Sequence, residues 1–369
     1  MAMGNDPKEK YILVGIAERD EEEAYSSLDE LADLLDTAGG EALFQFIQKR
    51  QHPDPATYIG KGKADELREL IDMHDADGIV CDDELSPSQI RNLTQILDTK
   101  VIDRTILILD IFAAHAMTRE GKLQVEMAQL KYRLSHLQGL GVSLSRQGGG
   151  IGTRGPGETK LETDRRRVKS RIASLNKEIR HLGQMRENTR KRRINGTTPI
   201  AAIIGYTNAG KSTLLNRLTE AEVYADDKLF ATLDPTTRKC RFPDGTQFLL
   251  TDTVGFINKL PHNLIDAFRS TLEEAGFADI LIHVVDASDP ERDMHIRIVY
   301  DTLRELGIEG KPIVTVFNKT DKLPADHDEK LYDERANIGV LTSVKNGTGL
   351  DQLFKALADL KESMNLYEN

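Results

Sequence analysis

A chain of 369 residues with a formal net charge of −11 and 39% hydrophobic residues exceeds one ordinary domain, so two or three are expected. It has no apolar run long enough to span a bilayer, and Met1 to Lys10 lack the apolar core of a secretory signal, so a soluble, cytoplasmic protein without stable membrane insertion is expected. The two cysteines, Cys81 and Cys240, lie far apart in strand-like surroundings with no partner at metal spacing, which suits a reducing compartment and a role as small core residues.

Short apolar runs at 11–17, 42–47, 78–81 and 100–103 alternate with helical patterns at about 21–37, 61–74, 86–98 and 104–117. Such alternation predicts a small parallel α/β domain over residues 1–118. Gly60-Lys61-Gly62-Lys63 opens the second helical pattern. It reads as a helix start, and because helix N-termini attract phosphates, a weak second nucleotide site in this domain is kept as a candidate.

Residues 119–197 read as an antiparallel helical hairpin. Leu123, Met127, Leu130, Leu134 and Leu137 recur at alternating steps of four and three, as do Val168, Ile172, Leu175, Ile179 and Leu182, the seam of two helices packed on each other. The connection expected from Gly141 to Lys160 is rich in glycine and bracketed by Arg146, Arg154 and Lys160. From Arg119 to Arg193 there are 19 Lys and Arg against 7 Asp and Glu, a local balance of +12 that leaves −23 for the rest of the chain. A basic arm with a glycine-rich tip points to RNA, whose phosphates Arg and backbone N–H groups can meet. A solvated helical face with a plain linker is the alternative.

Residues 198–369 carry the nucleotide motifs. Gly205-Tyr206-Thr207-Asn208-Ala209-Gly210-Lys211-Ser212 has the phosphate-loop form, in which backbone N–H groups cradle the α/β-phosphates, the Lys reaches the β/γ-phosphates and the Ser hydroxyl ligates Mg²⁺. A buried strand (199–204) precedes it and a helix (212–218) follows, the setting this motif needs. Asp252 ends the run 247–251 and is placed to hold Mg²⁺ through water, while Gly255 of Asp252-Thr253-Val254-Gly255 offers its N–H to the γ-phosphate. Phe230-Ala231-Thr232-Leu233-Asp234 lies in the polar stretch that should supply one Thr to the metal; Thr232 is the first choice and Thr236 and Thr237 are alternatives. Asn318-Lys319-Thr320-Asp321 follows the strand 312–317, and its Asp carboxylate can accept from both edge N–H groups of guanine, which adenine lacks. Ser343-Val344-Lys345 would close over the base. GTP over ATP follows, with GTP/GDP as ligands and Mg²⁺ as cofactor.

Phe256 stands where many signalling GTPases place a Gln that orients the attacking water, so unaided hydrolysis should be slow, a deficit of up to about 10⁵-fold in known systems. Lys211, Thr232, Gly255 and Asn208 are the candidate catalytic residues. Asn208 resembles the phosphate-loop Asn of GTPases that use a bound K⁺; a turn-stabilising Asn is the alternative.

GGGIGTRGPGETKLETDRRR (148–167), GYTNAGKS (205–212), FATLDPTTR (230–238), DTVGFI (252–257) and NKTD (318–321) together resemble the HflX-type GTPases of the Obg–HflX group, over about residues 11–360. The resemblance implies an N-terminal α/β domain, a helical arm and a phosphate-loop GTPase domain. It implies Ser212 and Thr232 as direct Mg²⁺ ligands and GTP contacts from 205–212, 230–234, 252–255, 318–321 and 343–345. It also implies a monomer that binds the large ribosomal subunit and its rRNA near the peptidyl-transferase centre and splits or rescues stalled ribosomes under stress, with hydrolysis stimulated by the ribosome. An RNA-processing or tRNA-modification GTPase, or a signalling GTPase with a protein effector, are the competing readings.

Overall fold

The computed structural model describes residues 7–147, 156–194, 198–219, 229–230, 236–242, 245, 247–261, 264, 274–324 and 330–367. Ala231, Thr232, Leu233, Asp234 and Arg154 therefore lie outside the described residues, as do the side chains of Arg146 and Lys160. The chain forms two compact units. One holds the residues up to Ala114 with Lys122–Arg180 and the short stretch Pro261–Leu264; the other holds His115–Gly121 and the remainder from His181 on.

The first unit is a four-stranded sheet in the order β2-β1-β3-β4, with β1 at Lys10–Ala17, β2 at Glu41–Lys49, β3 at Gly78–Cys81 and β4 at Lys100–Asp103. All three pairings are parallel, as the strand–helix alternation predicts. Helices α1 (Glu21–Thr37), α2 (Lys61–His74) and α3 (Pro87–Leu97) supply the crossovers, and α4 (Arg104–His115) follows β4. Their starts are legible in the chain: Asp20 caps α1 by accepting from the Glu22 N–H, and Ser86 with Gln89 forms a complete capping box ahead of Pro87, each satisfying N–H groups that a helix end leaves over. The core gathers Ile12, Val14, Leu67, Ile79, Cys81 and Leu93, all buried.

Helices α5 (Arg119–Gln147) and α6 (Pro156–Ile194) form the hairpin. Both run further into the glycine-rich connection than the sequence predicts, from Gly141 to Gln147 on one side and from Pro156 to Lys160 on the other. Arg171 of α6 donates two hydrogen bonds to the Glu126 carboxylate of α5, at 2.7 and 2.8 Å, and this holds Glu126 below the usual carboxylate range. The buried face of α5 is not quite the predicted leucine seam. Leu123, Leu130, Leu134 and Leu137 are only half buried, whereas Gln124, Val125, Met127, Ala128 and Tyr132 are buried. The reason is a second neighbour: Tyr132 donates to Asp103 at the end of β4 (3.0 Å), so α5 packs against the sheet domain as well as against α6.

The second unit is a six-stranded sheet in the order β10-β9-β8-β5-β7-β6. Its strands are β5 (Ile200–Gly205), β6 (Thr236–Arg241), β7 (Gln247–Asp252), β8 (Ile280–Asp286), β9 (Ile313–Asn318) and β10 (Ile338–Leu341). Only β6, at the edge, runs antiparallel. Strands β8 and β9 are buried almost throughout, which is why they read as unbroken apolar runs rather than as alternation. Helices α7 (Lys211–Thr219), α8 (Arg292–Glu305) and α9 (Leu350–Tyr367) belong to this unit. Both cysteines are buried, and Cys240 donates to the Leu218 carbonyl across 2.9 Å.

Candidate nucleotide site

The strand order reverses beside β5, whose neighbours β7 and β8 lie on opposite sides; this is where open α/β sheets bind ligands, outside the carboxyl ends of the strands. The phosphate loop leaves β5 there and turns directly into α7. Its turn depends on two unusual backbones. Asn208 adopts a left-handed conformation with φ 58, which Asn tolerates better than most residues, and it is exposed. Gly210 has φ 98, and a β-carbon there would lie 2.4 Å from the Asn318 amide nitrogen, so only glycine fits.

Lys211 is buried, and its ammonium donates to the Tyr206 carbonyl at 2.6 Å. Burial lowers its pKa to about 8, the nearby Asp252 carboxylate opposing and the Lys319 charge adding to the effect. A cation stripped of water in this way is held ready for an anion. Ser212 follows at the start of α7 and donates to Asp252 at 2.8 Å, and Asp252 is itself fully buried at the end of β7, in register with Ile203 of β5. A hydroxyl and a buried carboxylate side by side form an all-oxygen donor set that suits Mg²⁺ rather than a soft metal. Thr237, one of the alternatives to Thr232, is committed elsewhere: its hydroxyl lies 3.0 Å from that of Thr251 across the β6–β7 pair. Thr236 opens β6 opposite Asp252.

The segment after Asp252 folds back onto the phosphate loop. Thr253 donates to the Ile203 carbonyl at 2.7 Å. Gly255 sits so close to the phosphate loop that a β-carbon there would meet both the Lys211 ammonium and the Thr207 side chain at 2.9 Å. Phe256 is buried, 1% exposed, and pairs with Tyr206 in a parallel bridge: its N–H donates to Gly205 at 3.1 Å and its carbonyl accepts from Thr207 at 2.8 Å. The residue standing in place of a water-orienting Gln is thus apolar and packed inside.

At the far end, Asn318 acts as a strut. Its amide donates to the Ala209 carbonyl at 3.0 Å, and its oxygen accepts the Val344 N–H at 3.1 Å, tying the phosphate loop to the 343–345 loop. Asp321 is exposed, in the 3₁₀ turn Thr320–Lys322. It accepts from Ser343 at 2.5 Å, a bond that keeps its carboxyl below the usual range. Lys319, with φ 61, pairs with Asp286 at the end of β8 at 2.7 Å. The structure therefore brings together 205–212, 252–255, 318–321 and 343–345, while Phe230, left-handed at φ 55, is the only described member of 230–234.

Two features escape sequence reasoning. The strut role of Asn318 depends on both of its amide atoms facing different loops. Tyr206 stacks on His295 of α8, ring centroids 3.7 Å apart and 12° from parallel, a contact between residues nearly ninety apart whose only trace in the sequence is an aromatic in the second position of the phosphate loop.

Fold and site together define a P-loop GTPase, an enzyme that hydrolyses GTP. Three families match in tandem: residues 25–113 match one described as GTP-binding GTPase N-terminal, 115–193 the GTP-binding GTPase middle region, and 200–319 a 50S ribosome-binding GTPase. The chain belongs to the HflX GTPase family. It is 57% identical over 360 residues to the GTPase HflX of Lacrimispora saccharolytica, covering 98% of this chain and 85% of that protein, and 44% identical to that of Escherichia coli, covering 96% and 83%. Among solved structures, the GDP complex of SsGBP matches with a TM-score of 0.53 at 25% identity, covering 96% of this chain and 99% of that one. A GTP-binding protein from Sulfolobus solfataricus with GDP matches with a TM-score of 0.50 at 26% identity, covering 97% and 99%.

Proposed function

We propose that this chain is a cytoplasmic, monomeric GTP switch that binds the large ribosomal subunit and its rRNA near the peptidyl-transferase centre, splits or rescues stalled ribosomes under stress, and hydrolyses GTP when the ribosome stimulates it. The observation that carries the reading is the set of exposed basic residues along α6, Arg165, Arg166, Arg167, Lys169, Lys177 and Arg180, on the same chain as a GTPase whose Gln position holds a buried Phe256. The first suits phosphate-rich RNA; the second leaves hydrolysis waiting for an outside group. The description of the matched GTPase family as 50S ribosome-binding agrees with it.

In this reading GTP is contacted by Gly205, Tyr206, Thr207, Asn208, Ala209, Gly210, Lys211 and Ser212 at the phosphates, by Phe230 to Asp234 and Asp252 to Gly255 around the γ-phosphate, and by Asn318 to Asp321 with Ser343, Val344 and Lys345 at the base. Lys211 supplies positive charge to the β/γ-phosphates, and Gly255 donates its N–H to the γ-phosphate. Asp321 accepts from guanine, held in orientation by Ser343. Ser212 and Thr232 would hold Mg²⁺, which supplies charge neutralisation across the phosphates when bound. Asn208 would also hold K⁺; turnover faster in KCl than in NaCl supports that role, and equal rates assign Asn208 to the turn alone.

Co-sedimentation of the full chain with large ribosomal subunits tests the reading. Pelleting should be stronger with a non-hydrolysable GTP analogue than with GDP, and should weaken as salt rises. Failure to pellet with either nucleotide overturns it and favours an RNA-processing or protein-effector role.

A further inference from the structure

The Tyr206 backbone belongs to the phosphate loop, but its side chain and that of His295 have no role in the site as read so far, and they are the centre of a connected chain of contacts. Asp289 accepts the Glu291 N–H at 2.8 Å at the start of α8, and its other oxygen lies 3.3 Å from Nδ1 of His295. His295 thus has its ring plane fixed, and the Tyr206 ring lies flat on it. The Tyr206 hydroxyl accepts the Asn258 N–H at 2.7 Å, and Asn258 in turn caps the following turn by accepting from Lys259, whose φ is 52. With the two bonds of Phe256 to Gly205 and Thr207, three hydrogen bonds fasten residues 256–258 along the phosphate loop, and the outermost comes from a side chain rather than the backbone.

The arrangement so fastened has a definite meaning for the nucleotide. A γ-phosphate must sit between the Lys211 ammonium and the Gly255 N–H. Here Gly255 lies against that ammonium so closely that a β-carbon would be 2.9 Å from it, and the ammonium is bonded to Tyr206's own carbonyl. A γ-phosphate entering between the two would have to separate Gly255 from the Lys211 ammonium.

We propose that Tyr206 is a positioning residue which, clamped by His295 and Asp289, holds the 255–258 segment in its γ-phosphate-free position and so sets the preference of the enzyme between GTP and GDP. This rests on the reading that Gly255 serves the γ-phosphate. A phenol–amide hydrogen bond opened on one side of an equilibrium shifts it by the free energy of that bond, about two- to tenfold for a single bond of ordinary net strength. Removing it lowers the cost of moving the segment and favours the nucleotide that requires the movement.

The experiment is the ratio of affinities for a non-hydrolysable GTP analogue and for GDP, measured on the full chain with Mg²⁺. Tyr206→Phe keeps the ring on His295 and removes only the hydroxyl; the ratio should move toward the GTP analogue by about two- to tenfold. His295→Ala leaves the phenol in place and frees its ring, and should move the ratio in the same direction. A ratio unchanged from the unmodified chain in Tyr206→Phe, including the case where both nucleotides weaken equally, overturns the proposal and makes Tyr206 a packing residue. Amide exchange at 256–258 in the GDP form gives a second reading: it should quicken in both variants, and unaltered exchange contradicts the clamp. If the unmodified chain does not bind the analogue at all, the underlying γ-phosphate reading fails instead, a result distinct from an unchanged ratio.

Discussion

The molecule contains one parallel and one largely parallel α/β sheet, whose strand order reverses beside the first strand of each, between β1 and β3 in one unit and between β5 and β8 in the other. The two treat that crevice in opposite ways. In the nucleotide unit the chain leaves β5 in a glycine-bearing loop, with a buried Lys211 whose pKa burial has lowered to about 8. In the N-terminal unit the corresponding place is filled by the chain's own side chains. Arg104, 1% exposed, lies against Asp82 at 2.7 Å and also pairs with Glu30, while Ser27 donates to the second Asp82 oxygen at 2.7 Å. Asp103 next door accepts from Leu85, Ile106 and Tyr132. One architecture thus serves once as a receptor and once as a scaffold that anchors α5 through Tyr132. What separates them is that the buried Arg104 is paired with carboxylates of its own chain, whereas the buried Lys211 donates to a backbone carbonyl.

The largest effect should come from breaking that internal balance. Arg104→Ala leaves two carboxylates without their buried guanidinium, and removing one partner of a buried ion pair costs about 3–5 kcal/mol. Urea unfolding should show the N-terminal unit melting first, with GTP affinity of the folded protein unaltered; an unchanged midpoint would mean the cluster is not structural. Next is the base end of the nucleotide unit. Asp321→Asn removes a charged acceptor and its bond to Ser343, and preference for GTP over ATP should fall on the order of 100-fold. Competition binding reads this, and retained discrimination would move guanine recognition elsewhere.

A smaller effect should appear with pH. The folded-state pKa of Lys211, about 8, lies below its ordinary value of 10.5, so between these values the unfolded chain binds the extra proton and the empty fold gains stability as pH rises. Bound phosphate stabilises the ammonium, so above about pH 8 binding must take up a proton, and GTP affinity should drop by about tenfold from pH 7 to pH 9. Calorimetry in buffers of different ionisation enthalpy measures the proton directly. A flat profile would show that Lys211 stays charged in the empty site, and the contrast with the internally balanced Arg104 would lose its basis.

Most of this is legible in the sequence, because the signals are local. Strand–helix alternation placed all four N-terminal strands, and the phosphate-loop and NKTD motifs fix their own backbone geometry through residues such as Gly210 and Asn208. What the sequence hid is non-local. The burial of Gln124, Val125 and Tyr132 comes from a second packing partner, the end of β4, which heptad spacing cannot express. The antiparallel edge strand β6 has no pattern of its own that distinguishes it from a parallel one. The insertion of Phe256 against Gly205 and Thr207 was invisible for a related reason: the sequence revealed that Gln is missing, but backbone pairing decides where its replacement goes.

That buried Phe256, in an enzyme with an exposed basic arm, leads to the central expectation that hydrolysis waits for the ribosome. The most direct test is steady-state GTP turnover by the full chain, alone and with stoichiometric large ribosomal subunits at fixed Mg²⁺. The account predicts slow turnover alone and an increase of at least about 100-fold on addition of subunits, within the range known for externally completed GTPase sites. Turnover that is already fast without subunits, or equal with and without them, would contradict it.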